Sequence, residues 1–266
     1  MSELEKHIIL TSENLKIGYQ QKKRQTVVAD NINLAIQKGT FVALIGKNGI
    51  GKSTLLRTLT GVQKQLTGSV NLNEKDLNSY SNKELATKLS LVLTERLPES
   101  QLTVFELIAL GRQPYTNWID SLSDVDLQKI NLAINQTEID HLKDKRFHEL
   151  SDGQLQRVLI ARALAQDTEM IILDEPTAHL DLHHTIKIFN LLKKLVNQTQ
   201  KTIVISTHQI NLALDLADEL IVMTNDTISS GKTQDLIDNE ALDTLFPEEI
   251  LTFNKTLRQF TINKDN

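Results

Sequence analysis

The chain has 266 residues, of which 40% are hydrophobic and 24% charged, a composition typical of a folded globular protein with a sizeable core. Its net charge of −5 lacks the positive excess that binds nucleic acid, so we expect no nucleic-acid partner. The absence of cysteine excludes a disulfide framework and thiol catalysis. No apolar run is long enough to predict a membrane-spanning helix.

Apolar residues near the start of the chain have the spacing of a strand with one exposed face. Ile32, Leu34 and Ile36 stand at every second position, which is the period of a half-buried strand. We expect residues 1–38, together with residues 70–72, to form an antiparallel β edge.

Four later segments are continuously apolar, which is typical of strands buried on both faces of a parallel sheet. Amphipathic helical patterns lie between them, for example after Gly51 and from Gln154. This alternation predicts an α/β fold, a P-loop NTPase core in which helices flank a parallel sheet. The predicted buried strands are residues 41–45, 170–173, 203–205 and 220–223.

Residues 95–165 interrupt the alternation, because they carry helical patterns without a continuously apolar run. We interpret this stretch as a helical subdomain inserted into a single domain of residues 1–266. Residues 1–94 and 166–266 would then form the core with its N-terminal antiparallel β subdomain.

Residues 46–53 match the pattern G-x-x-x-x-G-K-S between a predicted buried strand and a predicted helix. Such a phosphate loop turns backbone N–H groups toward a phosphate chain, and the helix N-terminus adds partial positive charge. Lys52 is expected to contact the β- and γ-phosphates in catalysis and Ser53 to ligate Mg²⁺. A glycine-rich turn without a ligand is the alternative. The predicted nucleotide contacts are Gly46, Lys47, Asn48, Gly49, Ile50, Gly51, Lys52, Ser53 and Thr54.

The predicted strand at 170–173 ends in Asp174 and Glu175, and ligands of open α/β sheets bind at the carboxyl ends of strands. Asp174 is expected to hold Mg²⁺ through water, and Glu175 to polarise the attacking water as general base. A solvated pair of carboxylates that caps a helix is the alternative. The upstream phosphate loop and the Pro176 that follows favour the catalytic interpretation.

Residues 150–154, Leu-Ser-Asp-Gly-Gln, precede a helical pattern. Taken alone, Ser151 predicts a helix N-cap. The order of phosphate loop, this segment, the Asp-Glu pair and a histidine after a buried strand resembles the ABC-type ATPases, whose signature segment is LSGGQ. The resemblance covers residues 46–208.

In the family that the sequence resembles, two such domains pair head to tail. The signature segment of one domain closes over ATP held on the phosphate loop of the other. The resemblance therefore implies an ATPase that uses ATP and Mg²⁺, with a second copy of this chain as its partner. Ser151, Gly153 and Gln154 would contact the ATP of the partner subunit at a helix N-terminus.

Three further positions follow from the resemblance. His208 is similar to the switch histidine that contacts the γ-phosphate and Glu175, and Asp181 is similar to an interface aspartate. Tyr19 stands where the family has an aromatic residue that stacks on adenine. The alternatives are a solvated or structural role for His208 and packing at the sheet edge for Tyr19.

The sequence departs from the family pattern at two positions. Asp152 replaces a glycine of the signature segment, and we expect its side chain to point away from the phosphates. Thr94 stands where the family has a glutamine that ligates Mg²⁺ and senses the transmembrane partner. The adjacent Glu95 is the alternative ligand.

Residues 102–115 resemble a segment of importer ATPases that serve ferric-siderophore, haem and vitamin B12 permeases. An ordinary amphipathic helix is the alternative. The resemblance implies a peripheral subunit on the cytoplasmic face of the inner (cell) membrane, bound to integral permease subunits and acting indirectly with a substrate-binding protein. The alternative functions are a soluble ABC ATPase outside transport and an ATPase for another cargo.

Overall fold

The computed structural model describes residues 7–22, 24–93, 100–116, 121–246 and 251–262. These residues belong to two compact units, each of which is considered by itself. The first unit comprises Met1–Ser79 and Thr202–Asn266, and the second comprises Tyr80–Lys201.

The strands are β1 (Ile8–Gln21), β2 (Arg24–Gln37), β3 (Phe41–Gly46), β4 (Thr67–Leu72), β5 (Lys75–Asp76), β6 (Leu89–Val92), β7 (Met170–Leu173), β8 (Thr202–Thr207), β9 (Glu219–Met223), β10 (Ile228–Lys232), β11 (Leu251–Asn254) and β12 (Gln259–Ile262). The helices are α1 (Lys52–Leu59), α2 (Asn82–Ala86), α3 (Val104–Ala109), α4 (Asp124–Gln136), α5 (Asp152–Ala165), α6 (Leu182–Thr199), α7 (Ile210–Leu216) and α8 (Thr233–Asp238). Within the described ranges, no helix combines the length and the hydropathy needed to cross a bilayer.

An antiparallel sheet in the first unit has the strand order β2-β1-β4-β5. Along β2, Ile32, Leu34 and Ile36 are buried and the residues between them are exposed. The predicted antiparallel edge is therefore confirmed for the described residues, because burial follows the period of two in the sequence.

A second sheet in this unit places β3 between β8 and β9, parallel to both, and adds β10 antiparallel to β9. Every residue of β3, β8 and β9 is buried, as the continuously apolar segments predicted. Ile45 is paired with Thr207, so the chain leaves β3 and β8 at the same edge of the sheet. This register brings the start of the phosphate loop and His208 to one edge.

The second unit contains a parallel pair of strands, β6 and β7, in which Val92 is paired with Leu173. Strand β7 was predicted from its continuously apolar run, but β6 was not, because Ser90 interrupts its apolar residues. The described residues from 100 to 165 form α3, α4, α5 and turns. The limits of an inserted helical subdomain stay a prediction.

Helix α5 is held at its C-terminal end by a buried arginine, Arg112. The guanidinium of Arg112 donates to the carbonyl of Ala165 at 2.7 Å and to the Asp126 carboxylate at 2.8 Å, and it lies 4.0 Å from the ring centre of Tyr115. Hydrogen bonds from Ser123 and Arg112 lower the pKa of Asp126, although burial raises it. The charge pair therefore satisfies an orphan carbonyl at the end of the helix.

Replacing Asp126 by asparagine should destabilise the protein strongly, because the Arg112 guanidinium would stay buried without a counter-charge. We expect Asp126→Asn to lower the free energy of unfolding by about 3 kcal/mol in urea denaturation. Asp140→Asn is a matched control, since the Lys143–Asp140 pair is exposed and should be worth less than about 1 kcal/mol. Equal losses in the two variants would contradict the assigned role of the buried pair.

Candidate active site

The phosphate loop leaves β3 at Gly46 and enters α1 through Gly51. Gly51 has a φ of 113°, a conformation that side chains with a Cβ rarely adopt. A Cβ added there would lie 2.2 Å from Cγ1 of Val28. Conformation and close packing both require glycine, so the loop bends sharply into the helix.

Lys52 is the first residue of α1 and is buried. Its Nζ donates to the carbonyl of Gly46 at 3.1 Å and to the carbonyl of Lys47 at 3.3 Å. The ammonium group is therefore held against the first residues of the loop. The N-cap residue of α1 is Gly51, which has no side chain to cap the first turn, and this suits an anion at the helix end.

Tyr19 of β1 lies beside the first turn of α1. Its hydroxyl is 2.9 Å from Oγ1 of Thr54, and the residue is 49% exposed. The hydrogen bond fixes the end of the ring next to the phosphate loop while leaving ring surface available for stacking.

His208 follows the buried strand β8 and is itself exposed. The backbone N–H of Gln209 donates to Oγ1 of Thr207 at 3.0 Å, so a side chain at the strand end shapes the bend that carries His208. Because Thr207 is paired with Ile45, this bend lies at the sheet edge where the phosphate loop begins.

In the second unit, Asp174 extends the ladder of β7 and is buried. Its backbone N–H donates to the carbonyl of Val92 at 2.8 Å. Glu175 follows with a φ of 45°, the left-handed region that costs a non-glycine residue about 1–2 kcal/mol. Strained backbone of this kind concentrates at functional sites.

The predicted N-cap at Ser151 is confirmed. The Ser151 hydroxyl accepts from the backbone N–H of Gln154 at 3.4 Å, and the Gln154 side chain accepts from the backbone N–H of Ser151 at 3.1 Å. This reciprocal capping box starts α5. The predicted contact of Ser151, Gly153 and Gln154 with nucleotide stays a prediction.

Asp181 caps α6, the helix that follows the Asp-Glu pair. Its carboxylate accepts from the backbone N–H of His184 at 2.8 Å, as the N-cap preference for aspartate favours. The residues between the Asp174-Glu175 pair and Asp181 form turns. In one of them the backbone N–H of Ala178 donates to the carbonyl of Glu175 at 3.2 Å.

A cleft of about 300 Å³ lies within the second unit, between the start of α5 and the segment after β7. Its polar lining includes Asp152, Asp174 and Glu175, and its apolar lining includes Leu155 and Leu159. Asp152, the departure from the signature pattern, therefore lines the same cleft as the predicted general base. Because Asp152 is the first residue of α5, its negative charge also interacts favourably with the helix dipole.

Thr94 and Glu95, the candidate Mg²⁺ ligands after β6, lie outside the described residues. His184, whose ring is hydrogen-bonded to Asp181, was not predicted from the sequence as a site residue. The sequence could have indicated this contact, because Asp181 and His184 are three positions apart, the spacing of an N-cap residue and a first-turn residue that meet.

Comparison with known proteins places these features in a family. A family model described as ABC transporter matches residues 29–178, more than half of the chain. The achromobactin transport ATP-binding protein CbrD of Dickeya dadantii (strain 3937) is 40% identical over 240 residues, which cover 89% of this chain and 87% of that protein.

Two further similarities extend over almost the whole chain. The iron(3+)-hydroxamate import ATP-binding protein FhuC of Bacillus subtilis (strain 168) is 34% identical over 259 residues, 96% of this chain and 95% of that protein. A solved structure, assigned to a metal-chelate type ABC transporter in an inward-facing conformation, has a TM-score of 0.77 and 29% identity, and the match covers 96% of each chain. This protein belongs to the ABC transporter family.

Proposed function

We propose that this chain is the ATP-hydrolysing subunit that energises import of a ferric siderophore through a membrane permease. The observation that supports ATP binding and hydrolysis is the geometry of the phosphate loop. There a buried Lys52 is held by two loop carbonyls at the start of a helix whose first turn has no side-chain cap from Gly51. A cation and helix N–H groups at one place are the chemistry that binds the phosphates of ATP.

The chain also offers oxygen ligands suited to Mg²⁺, which prefers few protein ligands and keeps substrate phosphates and water. The Ser53 hydroxyl and the Asp174 carboxylate are such ligands, and we assign Mg²⁺ to them. When bound, Mg²⁺ would neutralise charge that develops on the phosphates.

Glu175 is the proposed general base. It follows the buried Asp174 directly. Because its backbone is left-handed, its side chain leaves the backbone in another direction than it would if the strand continued. Its carboxylate would accept a proton from the attacking water. His208 would contact the γ-phosphate, and the exposed ring of Tyr19 would stack on adenine.

The functional unit is proposed to be a head-to-tail dimer with ATP between the two copies. Ser151 is exposed and Gln154 is partly exposed, and with Gly153 they stand at the N-terminus of the fourteen-residue helix α5. That helix end favours an anion, and the capping-box partners can exchange their mutual hydrogen bonds for bonds to a phosphate of the partner's ATP.

The proposed cargo rests on the relatives. FhuC is named for import of iron(3+)-hydroxamate, and the similar solved chain is assigned to a metal-chelate type transporter. We infer a peripheral position on the cytoplasmic face of the cell membrane, with integral permease subunits as partners and a substrate-binding protein as indirect partner. The permease and that binding protein, rather than this chain, would select the ferric siderophore over haem and cobalamin.

Glu175→Gln should bind ATP and lose hydrolysis by about a hundredfold or more, because glutamine cannot accept the proton. With ATP trapped, the variant should elute as a dimer in size-exclusion chromatography with light scattering, and as a monomer without nucleotide. Adding Lys52→Ala to this variant is the control and should abolish the ATP-dependent dimer. Retained turnover in Glu175→Gln would remove Glu175 from the role of base.

Deleting this gene in its host should abolish ATP-driven uptake of a radiolabelled ferric siderophore, because the permease would lose its energy source. Complementation with the wild-type chain should restore uptake, and complementation with Glu175→Gln should not. Unchanged siderophore uptake with lost haem or cobalamin uptake would identify another cargo. Unchanged uptake of all three would favour an ATPase outside this transport class.

If backbone strain is stored at Glu175, a glycine at this position should make the protein more stable than an alanine, although both variants lose hydrolysis. Glu175→Gly and Glu175→Ala both remove the carboxylate, but only glycine adopts a φ of 45° without penalty. We expect the glycine variant to exceed the alanine variant by about 1 kcal/mol in free energy of unfolding, with hydrolysis lost in both. An alanine variant that is equally stable would show that the strain is not stored there.

A further inference from the structure

The ring of His184 lies between the signature segment (residues 150–154) and the Asp181 cap of α6. On one side, a Cβ built on Gly153 would be 2.9 Å from Cδ2, 3.3 Å from Cγ and 3.6 Å from Nε2 of His184. The imidazole therefore packs directly against the Gly153 backbone. A side chain at position 153 has no room while the ring stays in place.

On its other side the same ring is hydrogen-bonded. Nδ1 of His184 is 2.9 Å from Oδ1 of Asp181, the oxygen that also accepts from the His184 backbone N–H at 2.8 Å. Since a carboxylate only accepts, Nδ1 carries the proton in this pair. Hydrogen bonds from the backbone and then the ring of His184 lower the pKa of Asp181, so the acceptor is ionised at neutral pH.

The two roles of Asp181 can be separated. Capping of α6 needs only the backbone N–H at position 184, which every residue but proline supplies. The ring adds nothing that the helix cap requires. Its two-sided contact instead makes a mechanical link between the Asp181 loop (residues 177–181) and Gly153.

We propose that His184 is a positioning residue that locks the signature segment to the Asp181 loop of the same chain, so that both present one prearranged surface to the nucleotide and the second copy. This inference rests on the proposed function for its consequence, the closing of a dimer over ATP. The physical gain is preorganisation: a segment already held in place loses less conformational freedom when the dimer closes.

The first experiment measures ATP-dependent dimerisation by analytical ultracentrifugation in the Glu175→Gln background. His184→Ala should weaken the dimer about tenfold, the usual size of coupling between two linked sites. His184→Asn, whose amide can still donate to Asp181, should recover most of the affinity. His183→Ala is the matched control, because His183 lies one position earlier on the same exposed turn, with its ring centroid 5.6 Å from that of His184.

A loss in His183→Ala equal to that in His184→Ala would overturn the proposal, and so would an unweakened dimer in His184→Ala. If Glu175→Gln itself forms no dimer with ATP, the proposed function fails instead. The second experiment decides the inference in that case, since it needs no nucleotide.

The second experiment is a double-mutant cycle between Gly153 and His184, read as the urea midpoint of unfolding. Gly153→Ala should lower the midpoint in the wild-type chain, because the new methyl group displaces the ring and breaks its bond to Asp181. In the His184→Ala background the same change should not lower it, since alanine is a better helix former than glycine. Additive effects of the two substitutions would overturn the proposed contact.

Discussion

Burial of parallel strands on both faces is the constraint on which the candidate site depends. A strand enclosed in this way can expose polar groups only where it ends, so chemistry collects at the carboxyl edge. In the first unit the pairing of Ile45 with Thr207 brings the phosphate loop and His208 to one edge. In the second unit the pairing of Val92 with Leu173 places Asp174 at the end of a ladder. Strand register, rather than any single side chain, thus sets where each proposed catalytic group lies.

The N-termini of helices α1, α5 and α6 differ in how their first N–H groups are satisfied. Helix α1 starts at Gly51 without a side-chain cap from that residue, which keeps its first N–H groups suited to phosphate. Helix α5 starts with a closed capping box, and α6 starts with an aspartate cap. The same physics of orphan N–H groups therefore supports the proposed phosphate contacts at α1, whereas the side-chain caps of α5 and α6 satisfy N–H groups of their own first turns in this structure.

Two local features fix the geometry of the second unit around the predicted site residues. The left-handed backbone at Glu175 is stabilised by its surroundings at a cost that an ordinary loop would not carry. The ring of His184, fixed by Asp181 and packed on Gly153, links two turns that lie far apart in the chain. In the proposed mechanism, Glu175 accepts a proton and the segment around Gly153 contacts a phosphate, so holding both in place would lower the barrier by preorganisation.

The amino-acid sequence by itself determined what depends on local periods and short motifs. The buried strands, the alternation along β2, the phosphate loop pattern and the N-cap at Ser151 all follow from neighbouring residues. Only the tertiary structure decided features that no period encodes. These are the hydrogen bond between Tyr19 and Thr54, the left-handed backbone at Glu175, the strand β6 and the packing of His184 on Gly153. Each of these arises because chain segments distant in sequence occupy neighbouring space, where close packing fixes side chains and backbone together.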